Sequence, residues 1–154
     1  MPTTIEAESR EPELLVDLTL PPELTSPARA RHALNHLEER FDENALYMLR
    51  LLVSELVTNS VRHARLGSEQ VIGVRVLCGS GTVRVEVLDD GWGFPVPDTG
   101  HPTGSWQYLR NRDPEWPGGW GLSIIDAVAD SWGIVRNDRT VVWFEMKIDG
   151  NRAA

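Results

Sequence analysis

The stretch Leu51-Leu-Val-Ser-Glu-Leu-Val-Thr-Asn-Ser-Val-Arg-His-Ala64 combines apolar residues at helical spacing with three polar side chains at intervals of four. At about 100° per residue, Glu55, Asn59 and His63 fall within one narrow stripe of a helix. A carboxylate and a carboxamide therefore project side by side into one cavity, and such a pair suits a magnesium ion and a bound water. Two simpler alternatives remain at this point. Glu55 alone is typical of an exposed helix position, and a helix-end histidine is typical of an interaction with the helix dipole.

Composition predicts one acidic domain. The chain has 154 residues, of which 41% are hydrophobic, enough for a two-layer core. The net charge of −8 argues against direct binding of nucleic acid or of an anionic membrane, and favours a neutral or basic partner surface. Cys78 is the only cysteine, so no intrachain disulfide can form and a reducing compartment is expected. With neither a signal-peptide pattern nor an apolar run of roughly 20 residues, we expect a cytoplasmic protein.

The order of predicted elements indicates the fold class. We expect a disordered acidic tail at 1–13, a folded domain at 14–148 and a short C-terminal tail at 149–154. The predicted strands cover 14–20, 71–78, 82–88, 133–137 and 140–148. The predicted helices cover 28–41 with Ser26 as N-cap, 42–65 with Asp42 as N-cap, and 122–129 after a glycine cluster. This order predicts an α+β fold, a two-layer α/β sandwich with helices on one face of a largely antiparallel sheet.

Two glycine-containing motifs follow the helix. Asp89-Asp-Gly-Trp-Gly93 ends a predicted strand, where an Asp-Gly turn is the simpler interpretation. Its alternating glycines also let a backbone approach a flat ligand closely, and a buried acid there could accept a hydrogen bond from an exocyclic amine such as that of adenine. Gly118-Gly-Trp-Gly121 precedes the predicted third helix, whose free N–H groups suit phosphate. Between the two motifs lies a long loop rich in proline and glycine, which is typical of a functional or disordered segment.

The three motifs in this order resemble the N, G1 and G2 boxes of the GHKL superfamily. The resemblance covers about residues 14–148. Its Bergerat fold is shared by gyrase, the ninety-kilodalton heat-shock chaperone, MutL and histidine kinases. The short single-domain form and the sequence Ser54-Glu-Leu-Val-Thr-Asn-Ser-Val-Arg-His-Ala64 look most like the anti-sigma-factor serine/threonine kinases of actinobacteria and bacilli.

This resemblance implies a role for each matching residue. Asn59 would ligate Mg²⁺ on the phosphates of ATP, and Glu55 would be the catalytic base. Asp89 would bind the adenine amino group, and residues 94–118 would form a lid over the nucleotide. The glycine boxes would complete the cofactor site, with Gly91 and Gly93 at the adenine, and Gly119, Gly121 and Leu122 at the phosphates.

The function expected from this resemblance is that of an anti-sigma regulatory factor in transcription. It would bind Mg·ATP and phosphorylate a serine or threonine on a small anti-anti-sigma partner. One alternative is a nucleotide-dependent module that binds a sigma factor without catalysis, and another is a stand-alone GHKL ATPase. The resemblance also raises the expectation of a homodimer.

Overall fold

The computed structural model describes residues 11–63, 69–90, 119–136 and 138–148. The strands are β1 (Glu13–Leu20), β2 (Ile72–Gly79), β3 (Thr82–Asp89), β4 (Ser131–Arg136) and β5 (Thr140–Lys147). The helices are α1 (Ser26–Ala33), a 3₁₀ turn (Asn35–Leu37), α2 (Glu43–His63) and α3 (Gly119–Val128). Of the predicted tails at 1–13 and 149–154, residues 1–10 and 149–154 lie outside the described residues, whereas Glu13 already begins β1.

The five strands form one sheet in the order β1-β2-β3-β5-β4, and every neighbouring pair is antiparallel. The predicted hairpin between β2 and β3 is confirmed, and Ser80 and Gly81 turn it. Both have positive φ, 54° and 74°, as type I′ turns require to match the twist of the flanking strands.

The core lies between one face of this sheet and the helices. In β3, Val83, Val85 and Val87 are buried while the residues between them are partly exposed. Helix α1 packs against α2, and α2 packs against both β3 and α3. The predicted α+β class is thereby confirmed. None of the helices in the described ranges combines the length and apolar character that crossing a membrane needs.

Helix α2 follows its prediction closely. Asp42 Oδ1 accepts a hydrogen bond of 2.7 Å from the backbone N–H of Ala45, so Asp42 is the predicted N-cap. The buried residues of the helix recur at three- and four-residue spacing, as an amphipathic helix requires: Leu46, Leu49, Leu52, Val53, Leu56, Val57 and Val61. Its predicted end near residue 65 lies outside the described residues.

Helix α1 differs from its prediction at both ends. Thr25 holds the N-cap position, and Ser26 instead donates its hydroxyl to the carbonyl of Pro21 at 2.5 Å. The helix ends at Ala33, although residues 28–41 were predicted to be helical throughout. The chain then tightens into the 3₁₀ turn, whose three-residue period keeps Leu34 and Leu37 on the buried side. Sequence spacing alone does not distinguish this turn from a longer α-helix.

Helix α3 begins at Gly119, three residues before the predicted start at Leu122. The glycine cluster was predicted to precede the helix, yet Gly119 and Gly121 lie in its first turn. A glycine disfavours a helix by only about 1 kcal/mol, and burial of Ile125 further along the helix outweighs that cost. The free N–H groups of the helix start therefore belong to the glycine motif itself.

Candidate functional site

Asn59 is a polar residue inside the core. Its side chain is 2% exposed, and its amide nitrogen is buried with no hydrogen-bond partner among the described residues. Such a group costs about 1–3 kcal/mol of stability, and folded proteins keep few of them. The fold therefore retains at Asn59 a polar position that a bound ligand can satisfy.

Glu55 lies one helical turn before Asn59. The two residues are four apart on α2, so they share a face of the helix, as predicted. Glu55 is half-buried, and its neighbours Leu52 and Leu56 are fully buried. The carboxylate thus lies at the edge of the core, where it can reach a ligand that also contacts Asn59. His63, the third residue of the predicted stripe, is the last residue of α2, and its side chain lies outside the described part.

Asp89 is the last residue of β3 and is 4% exposed. Its Oδ2 accepts a hydrogen bond of 3.0 Å from the hydroxyl of Ser60, which is 2% exposed. Thr140, also 2% exposed, lies directly opposite Asp89 across the β3–β5 pair. A buried carboxylate needs such polar neighbours, because an unsolvated charge is costly. The result is a small polar cluster at the end of the apolar face of β3.

Neither Ser60 nor Thr140 is among the predicted site residues. Ser60 follows Asn59 directly, so a rotation of about 100° separates their side chains on the helix. The sequence marks Ser60 only by its place in the polar run Thr58-Asn59-Ser60. Thr140 begins a strand and carries no motif of its own, so only the register of β3 and β5 places it beside Asp89.

An ion pair lies beside this cluster. Asp90 Oδ1 accepts a hydrogen bond of 2.7 Å from Arg139 Nε, and this contact ties the end of β3 to the turn between β4 and β5. Both side chains are about two-fifths exposed, so the pair contributes on the order of 0–1 kcal/mol. Its value is geometric, because it holds together the two chain segments that carry Asp89 and Thr140.

The two glycine boxes are described unequally. Gly91 and Gly93 lie outside the described residues. Gly119, Gly121 and Leu122 form the first turn of α3, which packs against α2. A helix start presents free N–H groups and the positive end of the helix dipole, and both features bind anions.

The residues fit a magnesium ion that is shared with phosphates. Within the described ranges, no group of three or more His, Cys, Asp or Glu side chains could hold a metal ion. A nucleotide-bound Mg²⁺ typically takes only one or two protein ligands. Asn59 can supply one, because turning its carboxamide exchanges the buried nitrogen for the oxygen.

Glu13 and Cys78, whose pKa values are shifted, pair with each other at the opposite end of the sheet. Arg40 hydrogen-bonds Glu13 at 2.7 Å and holds the pKa of that exposed carboxyl below its usual value. Burial raises the pKa of the Cys78 thiol, and the nearby Arg40 guanidinium partly opposes this. Cys78 is partly buried and packs at the edge of the core.

Comparison with known proteins agrees with this geometry. Residues 20–146 match the histidine kinase-like ATPase domain family. The chain belongs to this family. The predicted membership of the GHKL superfamily is thus confirmed, and ATP is the ligand that membership implies.

Two relatives show which members of the family are similar. The Serine-protein kinase RsbW of Listeria monocytogenes serovar 1/2a is 30% identical over 118 residues, 75% of this chain and 75% of that protein. The protein of the same name from Listeria innocua serovar 6a is 29% identical over 118 residues, with the same shares. The likeness thus extends over three quarters of each protein rather than over one motif.

Proposed function

We propose that this protein is a Mg·ATP-dependent anti-sigma regulatory factor that phosphorylates a serine or threonine of a small anti-anti-sigma partner. The observation that carries the proposal is the pair on α2. Asn59 is buried, and its amide nitrogen has no hydrogen-bond partner among the described residues. Glu55 lies half-buried one turn away. Likeness to proteins named serine-protein kinases supports protein phosphorylation as the reaction.

In this proposal, the polar cluster at the end of β3 recognises the base of ATP. Asp89 accepts a hydrogen bond from the exocyclic amine of adenine, and Gly91 and Gly93 line the pocket beside the ring. The first turn of α3 binds the phosphates through the N–H groups of Gly119, Gly121 and Leu122. The helix dipole favours negative charge at that position.

The chemistry divides between Asn59 and Glu55. A bound Mg²⁺, ligated by Asn59, supplies charge neutralisation at the phosphates. Glu55 accepts the proton of the partner's hydroxyl while the oxygen of that hydroxyl bonds to the γ-phosphorus. The bond from that phosphorus to the bridging oxygen breaks, and ADP leaves with the electron pair. Phosphoryl transfer needs mainly positioning and charge stabilisation, so these few groups suffice.

The acceptor must come from a docked protein. A free serine lacks the binding energy that places its hydroxyl in line with the γ-phosphate, whereas a partner surface supplies it. The net charge of −8 favours a partner with a neutral or basic docking surface. A sigma factor would be the second partner, bound when the protein acts as a regulator of transcription.

Glu55→Gln tests the proposal. Glutamine has nearly the same shape but is a very weak base. Phosphoryl transfer to the partner should therefore fall on the order of 10²–10⁴-fold while ATP affinity stays within a few-fold. Glu43→Gln, at an exposed position in the first turn of the same helix, is the matched control and should leave transfer unchanged.

The assay combines labelled ATP with candidate anti-anti-sigma proteins and measures nucleotide binding separately. If the wild type binds Mg·ATP and a sigma factor but phosphorylates none of these proteins, the kinase proposal is wrong and the protein is a binding module without catalysis. If the wild type binds no ATP, both the kinase proposal and the nucleotide-dependent binding module are wrong.

A further inference from the structure

The hydrogen bond between Ser60 and Asp89 joins α2 to the end of β3. Both residues are almost fully buried, and the distance from Ser60 Oγ to Asp89 Oδ2 is 3.0 Å. A hydroxyl that donates to an ionised carboxylate forms a charge-assisted bond, which is stronger than one between neutral groups, and 3.0 Å lies at the long end of the usual range for a bond between two oxygens. The contact therefore fixes the orientation of the carboxylate as well as the position of the helix.

The neighbour of Ser60 on the helix is Asn59. The two side chains leave α2 about 100° apart, and both are buried. One turn of α2 thus carries two side chains of the proposed site. Asn59 is the proposed magnesium ligand, and Ser60 contacts Asp89, the proposed acceptor for adenine. A shift of this turn would change the distance between the two ends of the nucleotide site.

We propose that Ser60 is a positioning residue that sets the preference of this site for adenine over guanine. The inference rests on the proposed function, because it assigns Asp89 to the base of the nucleotide. Ser60 lies in the stretch that resembles the N box, but the resemblance assigns it no role.

The chemistry of the bond gives the reason. The Ser60 hydroxyl donates a hydrogen bond to Asp89, so the Asp89 carboxylate acts as an acceptor in this contact. An ionised carboxylate has about four acceptor sites, so accepting from Ser60 leaves it able to accept from further donors. Adenine presents an amine donor at the ring position where guanine presents a carbonyl acceptor. A carboxylate held as an acceptor therefore attracts adenine and repels guanine.

Removing the hydroxyl weakens this selection. Without the Ser60 hydroxyl, the Asp89 carboxylate loses the contact that orients it toward the adenine amine, whereas guanine gains nothing from that orientation. A purely structural serine would act differently. Its loss would loosen the contact between helix and strand, and would weaken the binding of every nucleotide alike.

The experiment compares the affinities of ATP and GTP in Ser60→Ala and Ser60→Thr. In Ser60→Ala, ATP affinity should fall about 5- to 30-fold, the equivalent of one or two kcal/mol, while GTP affinity changes by less than about threefold. Ser60→Thr keeps the hydroxyl and should restore the wild-type ratio. Ser131→Ala is the control, because Ser131 also donates to a carboxylate, Glu145 at 3.3 Å, but on the other face of the sheet.

A second substitution covers the case in which Ser60→Ala fails to fold. Ser60→Cys keeps the shape of the side chain but replaces the hydroxyl with a slightly larger thiol, which is a weak donor, so its preference for ATP over GTP should fall as that of Ser60→Ala does. An equal weakening of ATP and GTP in Ser60→Ala, or in Ser60→Cys where alanine is not tolerated, overturns the proposal.

The Asp89→Asn variant distinguishes a failure of the Ser60 inference from a failure of the proposed function. If Asp89→Asn loses the preference for ATP while Ser60→Ala keeps it, Ser60 has no role in specificity and the proposed function stands. If the wild type binds ATP and GTP equally, both the Ser60 inference and the adenine role of Asp89 are wrong, yet the Glu55 test of phosphoryl transfer still applies. If it binds neither, the proposed function falls and the inference with it.

Discussion

Replacing Asn59 with leucine is expected to stabilise the nucleotide-free protein and to abolish its magnesium-dependent binding of ATP. The first effect follows from the buried amide nitrogen, which has no partner among the described residues. Removing such a group recovers about 1–3 kcal/mol. Leucine has the same branching at Cγ and is a slightly better helix former, worth a few tenths of a kcal/mol.

The opposing effect is the larger size of the leucine side chain. Asn59 is 2% exposed, so two methyl groups must fit where an amide was, and swaps that conserve shape in this way usually cost less than about 1.5 kcal/mol. The net expectation is a gain of about 1 kcal/mol, or about 4 °C in the melting temperature of a domain of this size. Asn44→Leu, at an exposed position on the same helix, is the matched control for helix propensity alone.

Two assays test this reasoning. Thermal unfolding without nucleotide measures the stability change, and a loss of more than about 1 kcal/mol in Asn59→Leu would mean that the amide is structural. ATP binding in magnesium and in EDTA tests the metal role with Asn59→Ala, which should weaken binding much more in magnesium. Equal weakening in the two buffers would remove Asn59 from the metal shell.

Three further predictions concern other parts of the chain. Asp42→Ala removes the cap on the N–H of Ala45 and should cost about 1 kcal/mol in urea unfolding without changing ATP affinity; a change in affinity would contradict the purely structural role. Because burial raises the pKa of the Cys78 thiol, its alkylation rate should reach half-maximum at a higher pH than that of a free thiol, and a midpoint at or below the free value would refute this. Mg·ATP should change the intrinsic fluorescence if residues 94–118 contact the nucleotide, since four of the six tryptophans lie in or next to that segment; an unchanged spectrum at saturation would argue against the contact. These four are Trp92, Trp106, Trp116 and Trp120.

The long helix and the sheet could be predicted because their signals are local. Helix α2 repeats its apolar spacing over 21 residues and begins at a strong N-cap, so neighbouring residues alone determine it. Helix α1 is short, and its end depends on how Leu34 and Leu37 pack against the rest of the molecule. The predicted start of α3 was wrong for a similar reason. Burial of residues further along the helix decides whether the glycines before Leu122 become part of it.

The candidate site divides in the same way. The placement of Glu55 and Asn59 on one face follows from their spacing within a single helix. The Asn59 amide nitrogen has no partner among the described residues, and this depends on every residue packed around it. Spacing within the helix cannot predict such a feature. The contact from Ser60 to Asp89 joins residues 29 apart in sequence, so it exists only after α2 has docked on β3.

Helix α2 serves both stability and function, and at position 59 the two favour different residues. One side of this helix fills the core with Leu52, Val53 and Leu56, and the same element carries Asn59 and Ser60 into the interior. An apolar residue at position 59 would improve the packing but remove the group that a ligand requires, a trade-off that is common at functional sites. Arg84 and Glu145, 2.9 Å apart, lie on the other face of the sheet because side chains alternate along a strand. Substitutions on that face should change stability without changing nucleotide preference, because the sheet itself separates them from the polar cluster around Asp89.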